Sequence, residues 1–217
     1  MRVFAIVPVK IFENAKTRLS SILHAYDRAQ LSSLMLEDTL HILSTSPLLT
    51  EVVIVSSDKR AEELAIKRGA KFLHEEEENG VNSAIALADR YSIEKAAEAT
   101  IVIPHDLPLL SRTDISEPYE MVEEESRCIV ITPSLRYDGT NMLLRKPPCV
   151  IGTSYDSDSY HTHVNTAIRL GVPVKRLFSK TLMLDIDTPE DILNLITDET
   201  ARSARSIEFI KSKLQLR

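Results

Sequence analysis

Glycine is scarce in this chain, with five among 217 residues, and tryptophan is absent. The shortage of glycine removes several mechanisms. No G-x-x-x-x-G-K-[ST] run is present to form a P-loop, and no G-x-G-x-x-G follows the first strand-like run to bind a dinucleotide. The G-x-S-x-G elbow of α/β hydrolases is missing too. Cysteine is limited to Cys128 and Cys149, which form neither a disulfide framework nor a metal-ligand spacing. Buried, inert thiols in a reducing cytoplasm are the expected reading of both. No apolar run approaches the ~20 residues that span a bilayer. The opening "MRVFAIVPVK" lacks the small-residue cleavage site of a signal peptide. A cytoplasmic protein without a membrane segment is expected. Asp and Glu outnumber Lys and Arg by 32 to 26, giving a net charge of −6. That balance argues against a general nucleic-acid binder, which needs basic surface to neutralise phosphates. Four of the acids stand together in "HEEEENG", His74 to Gly80, which reads as a solvated loop.

What is present is an alternation of short apolar runs with helical patterns. "RVFAIVPV", "EVVIVSS", "AKFLH" and "TIVIPHD" read as strands. Between them lie helices near Asp27–Ser44, from Lys59 to Arg68 with Gly69 closing it, and over "NSAIALADRYSIEKAAEA". Strands apolar on both faces and alternating with helices predict a parallel sheet covered on both sides, an open Rossmann-like α/β fold. The second half changes character. "CIVITPS" and "TNMLLRK" flank the turn signal "LRYDG", an antiparallel excursion. A helix near Ser157–Leu170 stops at "GVP", and "VKRLF" and "TLMLDID" read as short strands. "TPEDILNLI" opens a helix, and the amphipathic tail predicts one more, over about 200–217. With no repeat and no linker, residues 1–217 form one expected domain. Its nucleotide-binding half runs to about 110, and its acceptor-binding half covers about 111–200.

Ligands of open α/β sheets bind at the carboxyl ends of the strands. The places to search are therefore "VKIFENAKTR", "SSDKR", "PHDLP" and the segments that close over them. The loop after the first strand, "VPVKIFENAKTRLSSIL", gathers Lys10, Lys16 and Arg18 beyond Pro8 without a glycine. Arg offers a bidentate fork and Lys a compact charge, a pairing suited to polyphosphate, although incidental surface cations remain an alternative. In "IVIPHDLPLL", Asp106 stands where a carboxylate can hold Mg²⁺ against phosphate oxygens; a turn-starting Asp before Pro108 is the other reading. "LMLDIDTPEDIL" contains a helix start at Thr188, Pro189 and Asp191, leaving Asp185 and Asp187 on one face of a strand. Asp187, last on that strand, is the better metal candidate. Thr140 and Asn141 after a glycine turn, with Ser159 and His163 at i, i+4, can form an acceptor pocket, yet turns and helix starts use the same residue types.

Taken together, "VPVKIFENAKTRLSSIL", "PHDLPLL", "DGTNMLL", the Ser159/His163 spacing and "LDIDTPEDI" resemble the 2-phospho-L-lactate guanylyltransferases of coenzyme F420 biosynthesis over nearly the whole chain. The resemblance implies a GT-A-like nucleotidyltransferase fold and transfer of GMP from GTP to 2-phospholactate or a related phospho-acid such as phosphoenolpyruvate. It implies catalytic roles for Lys16, Arg18 and Asp106, and Mg²⁺ on Asp106 and Asp187. By the same resemblance Pro8, Lys10 and Asn82 join the nucleotide site, and Thr140, Asn141, Ser159 and His163 the acceptor site. One departure stands out. Related sequences often carry a Gly-rich turn before the Ser159 position, whereas this chain has "YDSDS", with Asp156 and Asp158 beside an anionic substrate. Two other readings share the residues: a nucleotidyltransferase using CTP or UTP on a sugar or alcohol phosphate, and a nucleotide-binding sensor without turnover. A homodimer is the base-rate expectation, through "EPYEMVEEES" and the C-terminal helix.

Overall fold

The computed structural model describes residues 1–197 and 204–215. Its seven strands form one sheet in the order β3-β2-β1-β4-β6-β5-β7. The first four, β1 (Val3–Pro8), β2 (Glu51–Ser56), β3 (Lys71–His74) and β4 (Ala99–Val102), are parallel. β5 (Cys128–Pro133) and β6 (Thr140–Lys146) make the expected hairpin. β6 lies antiparallel between β4 and β5, so the reversal sits inside the sheet. β7 (Val174–Arg176) closes the far edge parallel to β5.

Two cores cover the two faces. Side chains alternate along a strand, so Val3, Ala5 and Val7 of β1 join Leu36 and Leu40 of α1 (Ala25–Ser44) and Ala61 of α2 (Lys59–Lys67). Phe4 and Ile6 point the other way, onto Ala84 and Ile85 of α3 (Val81–Glu94) and Val164 of α5 (Ser159–Arg169). This double burial is why the strand sequences are continuously apolar. Each such Leu, Ile or Phe contributes about 1.5–3 kcal/mol on leaving water. A third cluster joins Leu19 and Met35 to Ile186, Ile192 of α7 (Pro189–Thr197) and Ile207 of α8 (Arg205–Lys213). No helix among the described residues is long and apolar enough to cross a membrane.

Several local expectations are corrected. "TLMLDID" is not a strand: Lys180–Met183 form the short helix α6, and the following residues run as irregular chain. Leu182 enters the first core and Leu184 and Ile186 the third cluster, and Ile186 N donates to Asp106 O at 3.1 Å. A helix not expected from the sequence, α4 (Thr113–Val122), accommodates Pro118 and falls on the acidic "EPYEMV" stretch. α3 stops at Glu94, where Ala96 turns to a φ of 55° and frees the chain to enter β4. Cys128 is buried as expected, but Cys149 is exposed; both are free thiols. Of the predicted tail helix, 200–203 and 216–217 lie outside the described residues.

Candidate active site

The loop after β1 is held by side chains. Val9 N extends the sheet to Val55 O at 2.9 Å, and the chain then makes two single-turn 3-10 helices, Phe12–Asn14 and Thr17–Leu19. Phe12 and Leu19 are both fully buried, pinning the loop to the core at two points. A third pin is polar: Phe12 N donates to Asp58 Oδ2 at 2.8 Å, while Asp58 Oδ1 caps α2 through Arg60 N at 2.8 Å. Lys16 takes the left-handed conformation, φ 54° and ψ 37°, that costs a residue with a Cβ about 1–2 kcal/mol. The contacts of its ammonium account for this choice. Nζ lies 2.6 Å from Asp106 Oδ2 and 3.0 Å from Asp187 Oδ1.

Asp106 follows β4 at the carboxyl edge, and its backbone carbonyl anchors the segment carrying Asp185 and Asp187. Burial alone would weaken the Lys16 charge, yet the two carboxylates outweigh it and raise its pKa beyond the usual lysine range. Burial likewise opposes Asp106 ionisation, and Lys16 more than compensates, holding its pKa below the ordinary value. Asp106 Oδ1 is shielded and has no partner. Asp185 is pushed up to about 6, first by burial and then by the charge of Asp106, while the Asn141 amide partly offsets this. Arg18 reaches Asp187 Oδ2 only at 3.8 Å and is 70% exposed, so its guanidinium stands free over the cleft.

The cleft measures about 420 Å³. Pro8, Lys10, Lys16, Arg18, Asp106 and Asp187 line it together with Thr140. Asn82, Asn141, Ser159 and His163 do not. Asn82 braces the loop before α5, accepting from Tyr155 N at 2.8 Å and donating to Asp156 Oδ2 at 3.3 Å. Asn141 donates to Leu182 O, Met183 O and Asp185 Oδ1 at 2.9–3.1 Å, fixing the aspartate segment. Ser159 and His163 stand behind Thr140. His163 is fully buried, and burial lowers its pKa to about 4, so it is neutral near pH 7. Its Nε2 accepts from Ser154 N at 2.9 Å, which leaves the proton on Nδ1, 3.0 Å from Thr140 Oγ1. Ser159 Oγ also donates to Thr140 Oγ1, at 3.1 Å. With both acceptor directions filled, the Thr140 hydroxyl has its own proton to offer the cleft.

Sequence reasoning missed Tyr155 and His105, which also line the cleft, and Asp58, which positions its loop. His105 is buried against Ser32 Oγ at 2.9 Å, and burial lowers its pKa to about 4. Nothing in the sequence distinguishes it from a surface histidine. Asp58 sits in "SSDKR", one of the strand-end segments, but its pairing with Phe12 is set by tertiary packing.

Among the described residues no group of three or more His, Cys, Asp or Glu side chains is gathered to hold a metal ion. What is present is a pair. Asp106 and Asp187 each give one oxygen to the Lys16 ammonium, which leaves Asp106 Oδ1 unpaired and Asp187 Oδ2 no nearer than 3.8 Å to Arg18. Two hard-oxygen donors fit an ion such as Mg²⁺, which takes few protein ligands and fills its shell with phosphate and water.

A mostly parallel sheet with one reversed inner strand, carrying cations and carboxylates at its carboxyl edge, defines the class: a nucleotidyltransferase of GT-A-like fold. Solved structures agree on the fold. A cytidylyltransferase from Leptospira borgpetersenii superposes with a TM-score of 0.62 over 100% of this chain and 96% of that one, at 15% identity. A Desulfovibrio desulfuricans G20 protein assigned as a nucleotide-diphospho-sugar transferase gives 0.78 over 100% and 97%, at 16% identity. The chain belongs to the family described as guanylyl transferase CofC like, whose model matches residues 2–216. It is a guanylyltransferase. A phosphoenolpyruvate guanylyltransferase from Rubrobacter xylanophilus is 36% identical, covering 90% of this chain and 94% of that protein. A 2-phospho-L-lactate guanylyltransferase from Methanothermobacter thermautotrophicus is 31% identical over 94% and 89%.

Proposed function

We propose that this guanylyltransferase transfers GMP from GTP to a small phospho-acid, (2S)-2-phospholactate or phosphoenolpyruvate, and releases diphosphate, as a step of coenzyme F420 biosynthesis. The observation that carries the reading is the Lys16 bridge between Asp106 and Asp187, facing a cleft that also holds Lys10, Arg18 and the Thr140 hydroxyl.

The chemistry joins two polyanions. An oxygen of the acceptor phosphate attacks the α-phosphorus of GTP and forms a new P–O bond. The bond from that phosphorus to its bridging oxygen breaks, and diphosphate departs with the electron pair. A phosphate dianion is already a nucleophile near neutral pH, so no general base is required. The buried, neutral His105 and His163 are accordingly left outside the reaction. Lys10 and Arg18 attract the triphosphate, and Lys16 stabilises charge on the leaving group. Thr140 donates to the acceptor, oriented from behind by Ser159 and His163. Asn82 acts through the Tyr155 loop, and Asn141 through Asp185. Asp106 and Asp187 would hold Mg²⁺, which when bound would neutralise phosphate charge. The same reading takes the enzyme as a cytoplasmic homodimer, the dimer to be checked by sedimentation.

The test is diphosphate release with Mg²⁺, offering GTP, CTP and UTP in turn with 2-phospholactate, with phosphoenolpyruvate and without acceptor. Release confined to GTP with one of the phospho-acids is expected. Folded protein silent in every pairing would overturn the reading.

A further inference from the structure

A second, smaller hollow borders the phosphate cleft and shares Pro8, Lys10 and Val81 with it. Its remaining walls are Val9, Glu75, Glu78, Gly80 and Ala84. Glu75 belongs to the acidic run that reads as solvated loop, yet its Oε1 is shielded from water and lacks a partner. The cause is its position. Glu75 N still pairs with Ser56 O at 3.0 Å, so the residue continues β3 at the carboxyl edge of the sheet and does not project with the loop. Burial, and then the charge of Glu78, hold its carboxyl above the ordinary glutamate range, with the Asn79 amide pulling the other way.

A carboxylate with one oxygen unpaired beside a triphosphate cleft repels the substrate unless that oxygen meets a donor. Among the common bases only guanine presents two adjacent donors, N1–H and N2–H, on one edge; cytosine, adenine and uracil each place an acceptor next to a donor. A carboxylate accepts both guanine donors at once, in the charge-assisted bidentate geometry that gives strength and direction. The apolar Val9, Val81 and Ala84 suit the flat faces of a purine. The first turn of α3, which begins at Val81 with no side-chain cap, leaves backbone amides for O6.

We propose that Glu75 is the residue that reads guanine, accepting N1–H and N2–H of GTP bound with its phosphates at Lys16 and Arg18. The assignment rests on the guanylyltransferase reading and adds the base-specificity determinant to it.

The test is calorimetric binding of GTP, ITP and CTP in the presence of Mg²⁺, which needs no acceptor and no turnover. ITP differs from GTP in lacking the N2 amino group. The wild-type chain is expected to bind ITP at least ~10-fold more weakly than GTP, within the range of one good base contact. Glu75→Gln brings GTP down to the level of ITP, whereas Glu76→Gln, on the exposed part of the same run, keeps the wild-type ratio. Equal wild-type affinity for GTP and ITP would overturn the assignment without any variant. So would a Glu75→Gln chain, folded by circular dichroism, that retains the preference. Guanine-selective binding without diphosphate release from any acceptor leaves Glu75 as the reader and overturns only the transfer reaction.

Discussion

Lys16 and Arg18 lie two residues apart in one loop and play physically different parts. Lys16 is enclosed by two carboxylates, so its removal exposes uncompensated charge and mixes structural with catalytic loss. Arg18 is exposed and touches Asp187 only at 3.8 Å, so it contributes nothing measurable to the fold. Arg18→Ala should therefore lower kcat by ~10²–10³ while the urea midpoint stays within about 0.5 kcal/mol of the parent. Activity within a few-fold would take Arg18 out of the mechanism. The buried groups make a separate prediction about pH. His105 and His163 fall from 6.5 to about 4 on folding. Between those values the unfolded chain binds two protons that the folded one refuses, so this stability is present above pH 6.5 and lost on acidification. Asp185, raised to about 6, opposes them, because its folded form takes a proton that the unfolded carboxyl does not. The two histidines outweigh that carboxyl, so stability should fall as pH drops from 6 to 4. Urea midpoints across that range should decline, and His163→Gln should flatten the slope; a level profile would refute the assignment.

At the scale of elements, the loop after β1 depends on a neighbour that no local signal marks. Asp58 both caps α2 and receives Phe12 N, coupling the start of a helix to the loop that carries Lys16. Asp58→Ala should cost about 1–2 kcal/mol as a lost cap and also raise the KM for GTP, since the loop loses its polar pin. A thermal melt paired with steady-state kinetics checks both; a stability loss with unchanged KM would mean that Phe12 and Leu19 alone position the loop. The same contrast explains what was legible in the sequence. The strands β1, β2 and β5 were readable because double burial writes itself as unbroken apolar runs. Pro8, Lys16, Arg18, Asp106 and Asp187 were readable because strand ends deliver them to one edge. "TLMLDID" was not, since an apolar run packed under helices looks like one hydrogen-bonded in a sheet. Nor was the placement of Ser159 and His163 behind Thr140, because residues that support a site and residues that line it share the same chemistry.

For the whole molecule, the decisive contact joins its halves. Arg145, in the inner reversed strand β6, is fully buried and pairs across the sheet with Thr100 of β4 and Ile129 of β5. Its guanidinium grips both carboxylate oxygens of Asp89 on α3, one at 2.9 Å, and reaches Thr100 Oγ1 at 3.1 Å. Arg145 stands near the end of "TNMLLRK", and its partner lies 56 residues earlier. Breaking such a pair leaves a buried charge, so Asp89→Ala should cost about 3–5 kcal/mol. The double variant Asp89→Leu/Arg145→Met should recover much of that loss, because apolar packing replaces both charges together. The pair also bears on whether residues 1–217 act as one folding unit. Arg145 and Asp89 link the β1–β4 half, through α3, to the β5–β7 half, so the two should unfold together. Hydrogen exchange during urea titration of Asp89→Ala should show β1 and β5 losing protection at one midpoint, lower than the parent's. Loss confined to β5–β7, with β1–β3 still protected, would instead divide the chain into two units and make the Arg145 contact a joint between them.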